Sequence, residues 1–128
     1  ALGQAIIESG WGQSRFAIEG NALYGQWTYD QQQGLIPKRR DPDKTHAVKK
    51  FDRLEDSVIS YMFNINTHPA YYDFRVVRRL TSALRLTSTA VNYKIQYLAA
   101  YSEIGQKYID QLEMILETNS LQIFDKFN

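Results

Sequence analysis

Gly34-Leu35-Ile36-Pro37-Lys38-Arg39-Arg40, followed by Asp41-Pro42-Asp43-Lys44-Thr45 and then His46-Ala47-Val48-Lys49-Lys50-Phe51, is the stretch that decides the fold class. Two runs of extended character flank an Asp-Pro-Asp cluster, an order that predicts a β-hairpin. Pro37 has no N–H to give to a ladder, so it is confined to an exposed edge. The hairpin makes the class α+β, predominantly helical with a small β-hairpin lobe at about residues 26–51.

Outward from the lobe the apolar pattern turns helical. Upstream, Ala1 to Ile7 is a small and apolar run that stops at Ser9-Gly10, where a glycine commonly closes a helix. Ser14 then caps a short helix through Ile18, ended by Gly20-Asn21. Downstream, Asp52 with Glu55 is a capping-box variant, and Leu54, Val58, Tyr61, Met62 and Ile65 follow at helical spacing. His68-Pro69 breaks that helix, and Phe74, Val77, Leu80, Ala83 and Leu84 line the next. Thr87 to Thr89 offers caps for another, with Val91, Ile95 and Leu98 as its buried stripe. Gly105 interrupts before a helix marked by Tyr108, Leu112 and Ile115, and Ser120 caps a last short one carrying Leu121 and Phe124.

With 128 residues, 44% hydrophobic and 23% charged, the chain reads as one core-forming domain over 1–128, expected to act as a monomer. Fifteen Lys and Arg against 14 Asp and Glu argue against a dedicated nucleic-acid binder. The absence of cysteine excludes disulfide scaffolds, thiolate zinc sites, cysteine nucleophiles and iron–sulfur clusters. His46 and His68 lack an i,i+4 partner, so no metal site and no cofactor are expected. No apolar run approaches the ~20 residues of a membrane span. The chain starts at Ala1 inside a helix-like apolar segment, so an N-terminally truncated fragment of a longer precursor is expected.

Chemistry concentrates in Glu8-Ser9-Gly10-Trp11-Gly12-Gln13-Ser14. A carboxylate at the C-terminal end of an apolar helix faces the negative pole, and Glu8 emerges from Ala5-Ile6-Ile7; both influences raise its pKa. A carboxylic acid held protonated is what glycosidic cleavage needs, since a proton must reach a poor alkoxide leaving group. Position alone leaves two readings open, that acid or an ordinary solvated helix-end carboxylate. Gly10 and Gly12 allow a tight corner around Trp11, which is either a groove wall or a corner plug, the plug being the commoner fate of such an aromatic.

Gln4 to Ser14, with Asn21-Ala22-Leu23-Tyr24-Gly25 after it, resembles the signature of the bacterial glucosaminidases of glycoside hydrolase family seventy-three, the endo-β-N-acetylglucosaminidases of peptidoglycan. Gly34 to Thr45, with Asn64-Ile65-Asn66-Thr67-His68-Pro69-Ala70-Tyr71, further resembles the Bax-like group within that family. The resemblance runs over nearly the whole chain and is weakest after Leu86. It implies a lysozyme-like α+β fold with a groove between helical body and hairpin, and Glu8 as the essential acid. It also implies peptidoglycan glycan strands as partner, and a bacterial envelope, periplasmic location.

Two departures from the family pattern matter. Where the family carries Tyr-Ala-Thr-Asp-Pro-x-Tyr, this chain has Tyr101-Ser102-Glu103-Ile104-Gly105-Gln106-Lys107-Tyr108, so Tyr101 is either a substrate-facing phenol or a half-buried core residue. Where some relatives place a Glu on the first hairpin strand, this chain has Arg39-Arg40, and Asp41 is the nearest second carboxylate, although Asp-Pro-Asp is also ordinary turn chemistry. Without a second carboxylate, the substrate's own acetamido oxygen can act as nucleophile. A catalytically silent glycan-binding module and a lytic transglycosylase are the alternatives. Trp27 and Tyr29, entering the lobe among glutamines, are candidates for sugar stacking. With Trp11 and Tyr24 they form the candidate substrate-binding set. Arg39, Arg40, Lys44, Lys49 and Lys50 make the lobe positive, either to keep its edges from pairing or to attract an anionic wall polymer. Arg75, Arg78, Arg79 and Arg85 are expected on the wet face of a helix.

Overall fold

The computed structural model describes residues 1–86 and 90–127. The chain divides into two compact units, Ala1–Phe63 and Asn64–Asn128. Its class is the expected one, predominantly helical with a small antiparallel sheet, consistent with a lysozyme-like α+β fold.

The first unit opens with α1 (Leu2–Ser9), closed by Gly10 in the left-handed region at φ 56°. Ser14 accepts from the Ala17 N–H at 3.1 Å and starts α2 (Arg15–Gly20), which ends on left-handed Asn21. These bounds are the ones the glycines and Ser14 predict.

The lobe differs from a simple hairpin. It holds three short antiparallel strands, β1 (Trp27–Thr28), β2 (Gly34–Leu35) and β3 (Ala47–Lys49), in the order β1-β3-β2. Trp27 pairs with Val48 and Thr28 with Ala47 on one side, and Gly34 with Lys49 and Leu35 with Val48 on the other. The run from Ile36 to Arg40 leaves the ladder because Pro37 cannot donate to it; the Arg40 N–H instead closes a turn on the Pro37 carbonyl at 3.2 Å. The Asp-Pro-Asp turn forms as expected, with Lys44 N–H on the Asp41 carbonyl at 3.0 Å. Gly34 is obligatory, since a Cβ there would lie 2.6 Å from the Ala47 Cβ and 2.8 Å from the Thr28 Cγ2.

The end of β3 is tied to α2 through Phe51 N–H to Gly20 O at 2.8 Å and the Asn21 amide to the Phe51 and Asp52 carbonyls. Next comes α3 (Leu54–Thr67), which starts one residue later than an Asp52 cap requires. Asp56 reaches back to the Arg53 N–H at 3.2 Å, while Glu55 pairs with the Arg53 guanidinium at 2.7 Å. Ser57, Tyr61 and Ile65 form its buried stripe, whereas Leu54 and Met62 are exposed.

In the second unit, the His68 imidazole Nδ1 accepts from the Ala70 N–H at 3.2 Å and caps a 3-10 turn, Pro69–Tyr71, that leads into α4 (Tyr72–Ala83). The arginine run is more than a wet face. Arg75 donates to the Ile65 and His68 carbonyls at 3.1 and 2.8 Å, satisfying the end of α3, and Arg78 donates to Asn66 at 2.6 Å. Leu80, Ala83 and Leu84, expected to be buried, are exposed, and Thr81 is the buried residue of α4. The expected caps at Thr87 to Thr89 lie outside the described residues. Val91, Ile95 and Leu98 are buried as their spacing predicts, on α5 (Val91–Ile95) and the 3-10 turn Gln96–Tyr101 that continues it. Left-handed Gly105 precedes α6 (Gln106–Thr118), which buries Tyr108, Ile109, Leu112 and Leu116. A closing 3-10 segment spans Leu121–Phe127, with Phe124 exposed.

Candidate active site

Glu8 is the penultimate residue of α1 and half-buried. The chain turns sharply just beyond it. Gly10, Trp11 and Gly12 all have positive φ, at 56°, 60° and 75°. For a tryptophan this is an uncommon backbone state, tolerated here because the surrounding bonds fix it. Trp11 N–H reaches the Ile6 carbonyl at 2.9 Å, and Ser14 N–H reaches that of Ser9 at the same distance. Ser9 is the pin of the corner. Its buried hydroxyl donates to the Ala5 carbonyl at 2.6 Å and accepts from the Gly12 N–H at 2.8 Å.

The two sequence blocks meet at the carboxyl group of Glu8. A Cβ built on Gly25 would stand 3.3 Å from Glu8 Oε2, and Gly25 has φ +61°. Only glycine meets both demands there without strain, a left-handed backbone and a surface on which a carboxyl group can lie.

Behind this contact is a small polar-aromatic core. Tyr24 stacks on Tyr61 with centroids 4.0 Å apart and planes 11° apart, and the Tyr61 hydroxyl donates to Gln4 Oε1 at 2.5 Å. Gln4 is on α1 one helical turn before Glu8, so this bond anchors the helix that carries the acid. Tyr24 is 5% exposed, and burial pushes its phenol above the usual tyrosine range, keeping it neutral. That burial corrects its expected role: with one face on Tyr61 and so little surface open, Tyr24 supports the site from below and offers no platform to a sugar.

The other aromatics are open. Trp11 is 58% exposed, so it is not the corner plug; its left-handed backbone turns the indole outward. Trp27 is 56% exposed and Tyr29 74%. One face of Trp27 rests on the His46 ring, centroids 4.0 Å apart and planes 17° apart, which holds the indole flat against the lobe. His46 lies two residues before Val48, the ladder partner of Trp27, so the pair is a diagonal cross-strand contact.

Two candidates remain. Asp41 is exposed in its turn. Tyr101 belongs to the second unit, where it is half-buried, stacked on Tyr108 at 5.8 Å and 14° and tilted against Tyr71 at 6.1 Å. Among the described residues no three His, Cys, Asp or Glu side chains gather as a metal site needs, and no helix is long and apolar enough to cross a membrane. Sequence reasoning gave no role to Ser9, Gln4, Tyr61 or His46. The first three act through hydrogen bonds that neither spacing nor composition reveals, and His46 becomes legible only once β1 is paired with β3.

The chain, helical with a small antiparallel lobe and with Glu8 penultimate in its first helix, belongs to the Glucosaminidase family, described as mannosyl-glycoprotein endo-beta-N-acetylglucosaminidase, whose model matches residues 1–121. It is also similar to Protein bax of Escherichia coli (strain K12), 34% identical over 117 residues. That match covers 90% of this chain and 40% of the relative, so the chain spans about two fifths of the curated relative's length. No solved structure matches it significantly.

Proposed function

We propose that this chain hydrolyses the β-1,4 bond following N-acetylglucosamine in peptidoglycan glycan strands, in the bacterial envelope, with Glu8 as general acid. The observation that carries the proposal is the contact between Gly25 and the Glu8 carboxyl group, which brings together the two sequence blocks typical of the family at one oxygen. Protonated Glu8 donates to the glycosidic oxygen as the bond to the anomeric carbon breaks, so the leaving sugar departs as an alcohol. Trp27 and Tyr29, and Trp11 beside the acid, offer exposed aromatic faces to the sugars.

For the second role we favour the acetamido oxygen of the substrate as nucleophile, with water then opening the cyclic intermediate and returning a proton to Glu8. The exposure of Asp41 supports this choice, since its carbonyl closes an ordinary turn with the Lys44 N–H and its carboxylate is open to solvent. Tyr101 is assigned to orienting the acetamido group through its hydroxyl. The test is a digest of purified peptidoglycan followed by analysis of the new chain ends. Reducing-end N-acetylglucosamine supports the proposal. Anhydro-muramic ends would make the chain a lytic transglycosylase, and glycan binding without new ends would make it a binding module.

A further inference from the structure

Trp27 owes its posture to residues of the first unit that the proposed bond cleavage does not use. Its indole is exposed on a strand of only two residues, where a free aromatic side chain samples several rotamers. Here the His46 imidazole covers one face of the ring nearly in parallel, so the stack favours one orientation and leaves the outer face open to a ligand.

His46 is placed from both sides along the chain. Downstream, Ala47 and Val48 pair with Thr28 and Trp27 in the ladder. Upstream, the guanidinium of half-buried Arg40 donates from Nη1 to the His46 carbonyl at 3.0 Å. That bond encloses the turn closed by the Lys44 N–H on the Asp41 carbonyl, and it fixes the loop where the chain enters β3. Arg40 therefore differs from Lys38, Arg39 and Lys44, which are exposed cations of the same lobe.

A flat indole with one free face suits a pyranose ring, whose C–H bonds meet the negative face of the aromatic system. Ordering a loose indole at the moment of binding would cost affinity, and a ring already stacked on its inner side avoids most of that loss. The contact between the two rings is face to face, so it depends on an aromatic ring at position 46 and not on a charge there.

We infer that His46 is a positioning residue for glycan binding, keeping the Trp27 indole flat so that one N-acetylglucosamine ring of the strand stacks on its outer face. This role rests on the proposed glycan substrate and on Trp27 as a stacking surface, and it does not depend on Glu8 being the acid.

Titration calorimetry of the full chain with a short chitooligosaccharide tests this, in a Glu8→Gln background that keeps the ligand whole. Trp27→Ala should lower affinity roughly tenfold. His46→Gln, similar in size but without an aromatic ring, should lower it roughly fivefold, and His46→Phe should restore it to within about twofold. With Glu8 in place, the loss in His46→Gln should fall on KM with kcat held, a split that a general weakening of the fold does not produce. Circular dichroism and thermal unfolding verify that each variant is folded. A costly Trp27→Ala beside a silent His46→Gln, or a His46→Phe as weak as His46→Gln, would overturn the role of His46 and leave the stacking surface standing. A silent Trp27→Ala, or no binding of the chitooligosaccharide to the chain with both residues intact, would overturn the stacking surface and the role of His46 together.

Discussion

Placing a methyl group on Gly25 tests the geometry of the proposed acid without touching the acid itself. In Gly25→Ala the new Cβ stands 3.3 Å from Glu8 Oε2, tighter than ordinary van der Waals contact, and the residue keeps φ +61°. Two costs follow. The left-handed backbone destabilises an alanine by about 1 kcal/mol, which for a chain of this length lowers the melting temperature by roughly 3–6 °C. The carboxyl group must also retreat by a few tenths of an ångström. Since a displacement of about 1 Å can lower a rate ~10²-fold, a loss of roughly tenfold in kcat is expected, with KM little changed. Gly105→Ala is the control for a positive φ without a neighbour, because Gly105 has φ +53° with ψ −114° and a Cβ there meets nothing within 4 Å. Release of reducing ends from peptidoglycan and thermal unfolding are measured for both. Gly105→Ala should lose at least as much stability and retain activity. Equal activity in the two variants, after correction for the folded fraction, would refute the claim that Gly25 shapes the seat of the acid.

Three further outcomes are expected. Gly34→Ala should destabilise the chain by roughly 1–3 kcal/mol in a denaturant titration, because its Cβ would overlap Ala47 and Thr28 in the centre of the lobe. Replacing Lys49 and Lys50 with Gln should weaken capture by insoluble cell wall and flatten its salt dependence, while turnover of a short neutral chitooligosaccharide stays similar; Lys49 lies 5.3 Å over the Phe51 ring, so Lys50 should account for most of the effect. Asp41→Asn should lower the rate only modestly and Tyr101→Phe more, and a de-N-acetylated substrate should not be cut; the reverse order of the two variants would assign the second carboxylate to the lobe turn.

Legibility in the sequence follows the range of the interaction involved. Local signals carried far: Gly10 and Asn21 end helices, Ser14 caps one, His68-Pro69 breaks another, and Val91, Ile95 and Leu98 are buried, because each depends on neighbours a few residues away. Long-range pairing did not. β1 has two residues and no alternation to read, so the lobe looked like a two-stranded hairpin, and the support of Trp27 by His46 stayed hidden with it. Apolar spacing also overstated burial along α4 and its C-cap, where Leu80 and Leu84 repeat as a core stripe does yet remain open, while buried Thr81 donates to the Val77 and Arg78 carbonyls. In the candidate site, the place of Glu8 near the end of an apolar helix was legible, while the acid role proposed for it rests on the family resemblance. The residues that hold its surroundings, Ser9, Gln4 and Tyr61, were not, since their role rests on contacts the fold creates.

The central claim is that Glu8 donates the proton to the leaving sugar, and Glu8→Gln is its most direct test, since the amide keeps the size of the side chain and has no acidic proton to give. Folding is verified by circular dichroism, and reducing-end N-acetylglucosamine released from purified peptidoglycan is measured against the unmodified chain. The account predicts an intact fold with activity reduced ~10²-fold or more. A folded Glu8→Gln variant that keeps above about a tenth of the original rate would contradict it.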